Sequence, residues 1–465
     1  IQIYIECVRI LEHASEFGAA IQVYQHLEAL ARRRGDKTME ATAVTQMAAA
    51  YSGPTSAHDS QQARTMFARG VALAQDLGDH ELAARLLWSQ MITASHYDED
   101  AATQAAGEAS LALCRQHQLQ RRLPYVLNDL AINLRLSGKQ EEGQRHAEEA
   151  RSLFRIQSDL PMVADNLAQQ AWSDYHQLRF ADALHWAQET ATLCRKINND
   201  WNLSLAAVTR GLVNLMLGEW GDALVDLEES WRTGKAAGCA IAATVFPACL
   251  GALLRTLGAA EHAYALHQEA HIEACQQAPF TLAAVEAQLA QDAFALGQNE
   301  QGGQWLQAAL AHRPLGAISR AWVTLADLPL AAVATAQAKG DWAQAHSLVE
   351  QALLEAQRRR LPVYVPILEI AQARCCQASG QLAAAEAHVQ VAITLAQRVN
   401  LIPLLWQAHQ LLAALYQQQQ RLQEAELHQQ QAAVHVHALA ASLPDNHLRH
   451  RFLTTPAVQA TLSVL

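Results

Sequence analysis

The sequence repeats with a period of 40 residues, and this period constrains the fold more than any other feature. The repeat is clearest at a marker position between two helix-forming stretches. A single slip of two residues interrupts the series near its end. A regular period of this length predicts about eleven copies of one supersecondary unit. The markers, in chain order, are Gly18, His58, Asp98, Gly138, Leu178, Gly218, Gly258, Gln298, Gly340, Gly380 and Gln420.

Two further positions of the repeat carry small residues. Five residues after the marker, nine of the eleven copies have Ala or Gly, as in Ala223. Seven residues further on, nine of eleven are again small, as in Ala150. Positions seven apart share one face of a helix, and small residues there allow neighbouring helices to approach closely. The pattern therefore predicts stacked helices rather than independent ones.

Turn-forming residues also recur about half a repeat from each marker. Between the turns, apolar residues follow helical spacing, as in Trp201–Leu217 and Trp220–Ala236. Each unit is thus predicted to be helix, short turn, helix, short turn. We expect an all-α fold, a right-handed superhelical solenoid of about eleven antiparallel helix pairs over residues 1–440, followed by a C-terminal capping helix or tail over residues 441–465. The half-repeat turns are Gly78–Asp79, Ser158–Asp159, Asn198–Asp200, Gly238, Pro279 and Asn400.

The residues around the markers resemble those of tetratricopeptide (TPR) repeats. Gly218-Glu219-Trp220-Gly221-Asp222-Ala223-Leu224 and Gly340-Asp341-Trp342-Ala343-Gln344-Ala345 resemble the turn and second-helix start of that family. The family's small residue seven before the turn glycine corresponds to Gly211 and Gly251. The unit departs from the family in length, because a TPR repeat has about 34 residues, and 40 is nearer to the HEAT range. The Gly-x-aromatic-x-x-Ala turn favours the TPR alternative.

Repeats of this length are similar to the helical regions of bacterial signal-transduction (STAND) NTPases and of regulators related to the maltose activator. The tail Leu443-Pro444-Asp445-Asn446-His447-Leu448-Arg449 is similar to the endings of such proteins. This resemblance implies a sensor region that responds to an inducer, to a partner or to an NTPase module of the same chain. The sequence has no phosphate-binding glycine loop, so an NTPase module is expected before Ile1.

Composition argues against several classes of function. The formal net charge is −11 and no basic stripe is present, so we expect no nucleic-acid contact from this part. The eight cysteines show no CxxC pair, and no His, Cys or Glu set has metal-binding spacing, so we expect no metal, no cofactor and a reducing, cytoplasmic location. The most apolar stretch, 240–254, is too short to span a membrane. No catalytic motif is present, so the chain is predicted not to be an enzyme.

A candidate binding surface follows from the repeat register. In TPR arrays the first helix of each unit lines the concave face, at positions 13, 10, 6, 3 and 2 residues before the marker. Asp292, Asp327 and Arg374 occupy such positions in later units, and Leu212, Leu215 and Met216 form an apolar stretch in the sixth. Aromatic, Arg and Asn side chains on a concave wall suit an extended peptide or a small polar ligand. The candidates are Arg85, Trp88, His96, Tyr125, Asn128, Arg135, Asp165, Trp172, Tyr175, His176 and Arg255.

Two interpretations of function remain open, and the candidates themselves have an alternative role. The first interpretation is a non-catalytic scaffold or sensor array, the C-terminal part of a larger bacterial signalling or transcription regulator. The second is a free-standing TPR adaptor or a receptor similar to the peptide-responsive quorum-sensing proteins. Both imply a protein, peptide or inducer partner. Trp88 and Trp172 would alternatively pack between helices as structural wedges.

Overall fold

The fold was examined in a computed structural model of the chain, which describes residues 16–53, 57–97, 100–312 and 326–463 and a few positions before them. This part of the chain contains 23 α-helices and no β-strand. Two compact units can be distinguished. Unit 1 comprises the described residues up to Asp159, and unit 2 comprises the described residues from Leu160 onward.

The described residues of unit 1 form seven helices, most of them joined by short turns. The last six of these helices form three antiparallel hairpins. The helices are α1 (Phe17–Arg34), α2 (Lys37–Ser52), α3 (Ser60–Asp76), α4 (His80–Tyr97), α5 (Asp100–Gln116), α6 (Leu123–Leu136) and α7 (Gln140–Ile156).

The described residues of unit 2 form seven helix pairs and two short terminal helices. The pairs are α8 (Leu160–His176) with α9 (Phe180–Ile197), α10 (Asp200–Leu217) with α11 (Trp220–Ala236), α12 (Ala240–Thr256) with α13 (Ala260–Gln277), α14 (Leu282–Ala295) with α15 (Asn299–Ala311), α16 (Asp327–Lys339) with α17 (Ala343–Arg358), α18 (Val365–Ala378) with α19 (Leu382–Arg398), and α20 (Ile402–Gln418) with α21 (Leu422–Ala441). The terminal helices are α22 (Asn446–Leu453) and α23 (Pro456–Leu462), and two 3₁₀ turns, Pro279–Thr281 and Pro362–Tyr364, precede α14 and α18.

The turns follow the 40-residue period seen in the sequence. Gly138, Gly218 and Gly258 have left-handed backbone angles, which end the first helix of a pair without a clash from a β-carbon. Leu178 and Gln420 occupy the equivalent position with φ of 60°, although neither is glycine. A left-handed non-glycine residue costs of the order of 1 kcal/mol, so the stacking of the flanking helices outweighs this local strain.

The small residues of the repeat lie where helices are in closest contact. Ala183, Ala223 and Ala263 are fully buried, as are Ala150 and Ser230 at the second small position. The second helix of each pair packs both on its partner and on the next pair, and small residues allow this close approach. The all-α class and the solenoid of antiparallel helix pairs are thus confirmed.

The first helices of unit 2 form a closed ring. Each of α10, α12, α14, α16, α18 and α20 packs against the next first helix, and α20 packs back against α10. α8 contacts the Pro362–Tyr364 turn, where the Gln177 amide donates to the carbonyl oxygen of Arg360 over 2.8 Å. The two ends of unit 2 are therefore held together by contacts between residues about 180 to 230 apart in sequence.

The tail completes this closure by packing against the turns of α10–α13. A β-carbon on Gly221 would lie 2.5 Å from the Ser442 carbonyl oxygen, and one on Gly258 would lie 2.9 Å from Thr455. Phe452 is fully buried, with its ring edge-on to Trp220 at 5.1 Å between centroids. The glycines near the markers therefore permit close approach of the tail as well as a tight turn.

Candidate functional site

The ring of first helices in unit 2 surrounds a cavity of about 1230 Å³. Every one of the seven first helices, α8 to α20, contributes to its wall, and the tail around Arg451–Ala457 contributes the remainder. A second helix contributes only at its start, through Ala260 and Glu261 of α13. The volume exceeds the roughly 300–1,000 Å³ typical of sites for small organic ligands.

The wall positions obey the register inferred from the sequence. Val245, Ala248, Ala252, Arg255 and Thr256 all line the cavity, and they lie 13, 10, 6, 3 and 2 residues before Gly258. Helix α16 repeats the pattern with Asp327, Leu330, Ala334 and Gln337. This agreement follows from the helical period, because one face of each first helix turns inward along its whole length.

An aromatic corner is formed by α8 and the turn before α18. Trp172 and Tyr175 stack with ring centroids 5.6 Å apart and line the cavity. His176 lies behind them, fully buried, with its Nδ1 2.8 Å from the Trp172 carbonyl oxygen and its Nε2 3.1 Å from the Tyr364 hydroxyl. Burial lowers the pKa of His176 to about 4, so the neutral ring donates to the carbonyl and accepts from Tyr364.

A buried polar network supports the opposite wall. Asp292 is fully buried and accepts hydrogen bonds from Arg255 and His267. Arg255 also donates to the Gln288 amide oxygen at 2.8 Å, and the Gln288 amide nitrogen donates to Asp327 at 2.9 Å. Burial raises the pKa of Asp327 to about 7, although Arg255 and the Gln288 hydrogen bond oppose the shift. The network fixes the Arg255 and Gln288 side chains on the wall.

A third part of the wall is rich in glutamine. Gln337, Arg374, Gln407 and Gln410 line the main cavity and also a neighbouring cleft of about 590 Å³, so they lie at the junction of the two. Gln410 donates to the Ala457 carbonyl oxygen at 2.9 Å and to the Thr461 hydroxyl at 3.0 Å, which connects α20 to the tail. The junction therefore presents amide and guanidinium groups beside an apolar and aromatic wall.

Two of the candidates in unit 1, Trp88 and Tyr125, lie against each other. The Trp88 indole donates to Asp129 at 2.8 Å, and its ring lies 6.2 Å from that of Tyr125, whose hydroxyl donates to Asp159 at 2.6 Å. The Arg122 guanidinium lies over the Trp88 ring at 5.2 Å. Trp88 and Tyr125 thus have internal partners, as expected of the structural alternative considered for Trp88.

The other predicted positions differ in exposure. Arg85 is exposed, His96 is partly buried, and burial lowers the pKa of His96 to about 4. Asn128 and Arg135 are buried, at 0% and 3% exposure, so most of their surface faces protein. Asp165, in unit 2, accepts a hydrogen bond from Gln169 at 2.8 Å and lies outside the cavity wall. Of the eleven candidates, the structure brings Trp172, Tyr175 and Arg255 to the cavity and His176 directly behind it.

Several wall residues were not among these candidates. The glutamines carry the same register signal, since Gln407 and Gln410 lie 13 and 10 residues before the marker Gln420. No repeat signal points to Tyr364, which belongs to a 3₁₀ turn, or to Arg451 of the tail. Those two residues reach the wall only through the closure of unit 2.

No group of three or more His, Cys, Asp or Glu side chains among the described residues is placed to bind a metal ion. None of the helices with assigned positions combines the length and apolar character needed to cross a lipid bilayer.

Comparison with known proteins identifies the fold. No protein-family model matches the sequence, and no curated protein matches it. Among solved structures, a Rap protein complexed with Competence and Sporulation Factor aligns with a TM-score of 0.51 at 11% identity, over 77% of this chain and 99% of that one. The fold is a TPR-like helical repeat. Weaker alignments are found with an IFIT1 monomeric mutant (17% identity, TM-score 0.40, 68% of this chain and 71% of that one) and with yeast Tom70 (12% identity, TM-score 0.33, 100% and 96%).

Proposed function

We propose that the chain is a non-catalytic binding scaffold and that the cavity of unit 2 binds a peptide segment. The observation that carries this proposal is a single cavity of about 1230 Å³ with all seven first helices in its wall. The wall combines aromatic rings, glutamine amides and arginine, which are the groups that bind side chains and backbone of an extended peptide. The Rap protein of similar fold was solved in complex with Competence and Sporulation Factor, which agrees with the use of this architecture for binding.

The wider context proposed is a sensor region of a larger bacterial signalling or transcription regulator. The 40-residue unit and the tail sequence 443–449 support it through their resemblance to regulators related to the maltose activator. In that setting, ligand binding in unit 2 would be transmitted to an NTPase module of the same chain. The alternative, a free-standing peptide receptor, has the same cavity. Sequencing the coding region before Ile1 separates the two, since only the first requires an in-frame phosphate-binding loop.

Filling the cavity tests the binding proposal. Ala334 of α16 lines the cavity and is partly exposed, so Ala334→Trp would occupy ligand space without removing a core contact. The matched control is Ala383→Trp, which places the same ring on the exposed surface of α19. A degenerate library of synthetic hexapeptides would be incubated with each protein, and captured peptides identified by mass spectrometry and measured by calorimetry.

We expect the wild type and Ala383→Trp to capture the same peptides. Ala334→Trp should bind them at least about tenfold more weakly, because the indole ring would displace contacts between the peptide and the wall. A tenfold loss of affinity corresponds to about 1.4 kcal/mol of binding free energy. Circular dichroism should confirm that each variant keeps its helical content. Equal capture by Ala334→Trp and the wild type would place the binding site elsewhere and refute the proposal.

A further inference from the structure

Arg374 differs from the other arginines of the cavity wall because no described carboxylate forms an ion pair with it. Arg255 pairs with the buried Asp292, and Arg451 lies 3.7 Å from Glu261 and donates to the Gly258 carbonyl oxygen at 3.1 Å. Within the part of the chain that the structure describes, Arg374 makes neither an ion pair nor a side-chain hydrogen bond. Arg374 nevertheless lines both the cavity and the neighbouring cleft.

This arrangement is unfavourable for the unliganded protein. The surrounding protein removes water from the Arg374 guanidinium and lowers its pKa, and no carboxylate acts on it in the opposite direction. A guanidinium nevertheless remains charged at neutral pH. An uncompensated cation in a largely desolvated place costs free energy that an arriving anion would recover. Carboxylate and phosphate groups fit the planar guanidinium best, because they accept two parallel hydrogen bonds.

The neighbours of Arg374 offer groups for the rest of such a ligand. Gln337 and Gln407 share the junction with Arg374, and neither side chain makes a hydrogen bond with another described residue. A primary amide donates and accepts at once, as a peptide bond does, so these side chains can pair with a peptide backbone. The two carboxylates of the wall have other neighbours. Asp327 neighbours Arg255, Tyr175 and Tyr364, and Glu261 lies 3.7 Å from Arg451.

We propose that Arg374 is the anchor of the cavity and selects peptides that carry an anionic group, with Gln337 and Gln407 binding the adjacent backbone. This inference rests on the proposed function and specifies its ligand class. The anion is a C-terminal carboxylate, an acidic side chain or a phosphate attached to the peptide, and these sources share the two-oxygen geometry that a guanidinium recognises.

The test uses the full chain and the peptides captured in the experiment above. Arg374→Gln removes the charge, and Arg374→Lys keeps the charge without the planar fork. Arg398→Gln is the matched control, because Arg398 lies exposed on α19, away from the cavity. Each captured peptide would be measured in its original form, as its C-terminal amide, with Asp and Glu replaced by Asn and Gln, and in competition with inorganic phosphate.

We expect Arg374→Gln to weaken binding by roughly 10- to 100-fold, the range of one charge-assisted bidentate contact. Arg374→Lys should retain part of the affinity, and Arg398→Gln all of it. Neutralising the anionic group should weaken binding to the wild type but have no further effect on Arg374→Gln. The peptide change that weakens binding to the wild type but not to Arg374→Gln identifies which group supplies the anion.

A second measurement does not depend on the ligand. The thermal midpoint of the unliganded protein should rise in Arg374→Gln, since a desolvated charge has been removed, and should be unchanged in Arg398→Gln. Unchanged peptide affinity in Arg374→Gln, or equal binding of neutralised peptides, would refute the inference while leaving peptide binding intact. Failure of the wild type to capture any peptide would instead refute the proposed function itself.

Discussion

At the scale of single residues, burial and polar contacts change the pKa values of ionisable side chains in the cavity wall. The pKa of Asp327 is raised to about 7 by burial, whereas its unperturbed value is 3.8. The other ionisable groups around it are Arg255, Tyr175, Tyr364 and Cys249. Burial raises the pKa of both phenols and raises that of the Cys249 thiol to about 12. The two phenols and the thiol therefore stay neutral between pH 4 and pH 7 while Asp327 ionises.

Asp327→Asn should change how stability depends on pH. Between pH 3.8 and about 7 the folded state holds a proton on Asp327 that the unfolded state has lost. The free energy of unfolding of the wild type therefore falls as pH rises through this window. The amide lacks this effect but can still accept from Gln288. We expect the free energy of unfolding of Asp327→Asn, relative to the wild type, to increase from pH 4 to pH 7 and then level off. Urea unfolding at several pH values measures it, and a difference independent of pH would contradict the assignment.

At the scale of elements, the tail packs against α11 and α20, next to the place where the ring of first helices closes. The buried Phe452 contacts Trp220 and also Trp406, at 5.7 Å between ring centroids. The Trp406 indole donates to Thr461 at 3.1 Å, and the Ser442 hydroxyl accepts from the Trp220 backbone at 3.1 Å. These contacts bring α10–α11, α20 and the tail together, so that α22 and α23 form part of the cavity wall rather than a separate end piece.

Gly221→Ala tests this closure with a single methyl group. The new β-carbon would lie 2.5 Å from the Ser442 carbonyl oxygen and 2.6 Å from the Pro444 ring, so the tail must shift. We expect a loss of stability of roughly 1–3 kcal/mol from overpacking, together with increased hydrogen exchange in residues 442–462.

Gly18→Ala is the control for this substitution. Gly18 is also helical, but a β-carbon there has no atom within 4 Å. The change should be neutral or stabilising by about 0.5–1 kcal/mol, because alanine is the better helix former. Similar effects of Gly18→Ala and Gly221→Ala would mean that the tail does not pack tightly against the α10–α11 turn.

At the scale of the whole molecule, the chain divides into two compact units, and every residue of the cavity wall belongs to one of them. The predicted array over residues 1–440 and tail over residues 441–465 were defined from the repeat register of the sequence. That register continues through both units. The candidates of unit 1, including Trp88 and Tyr125, remain a predicted surface separate from this cavity.

A fragment of residues 160–465 should therefore retain the binding activity. Because the ring closes within unit 2, we expect the fragment to be strongly helical, to unfold cooperatively and to bind the captured peptides within about threefold of the full chain. Calorimetry on the fragment and the full chain measures this. Loss of binding in a fragment that keeps its helical circular dichroism would show that unit 1 contributes to the site.

Much of the fold and part of the site could be predicted from local patterns. The 40-residue period, the small residues such as Ala223 and the turn glycines are consequences of each helix packing on its neighbours in sequence, so they recur along the chain. The same period placed Trp172, Tyr175, Arg255 and Arg374 on the inner face of first helices.

The sequence by itself thus determined the helix pairs, the positions of most turns and the inward faces, because these depend on interactions between neighbouring repeats. Only the tertiary structure decided that α20 returns to α10, that Tyr364 meets His176, and that Arg374 has no ion-pair partner among the described residues. These features depend on the small rotation added at each repeat, which accumulates over seven pairs before the ends meet. No local sequence pattern reports this total rotation, so the cavity could be identified only from the tertiary structure.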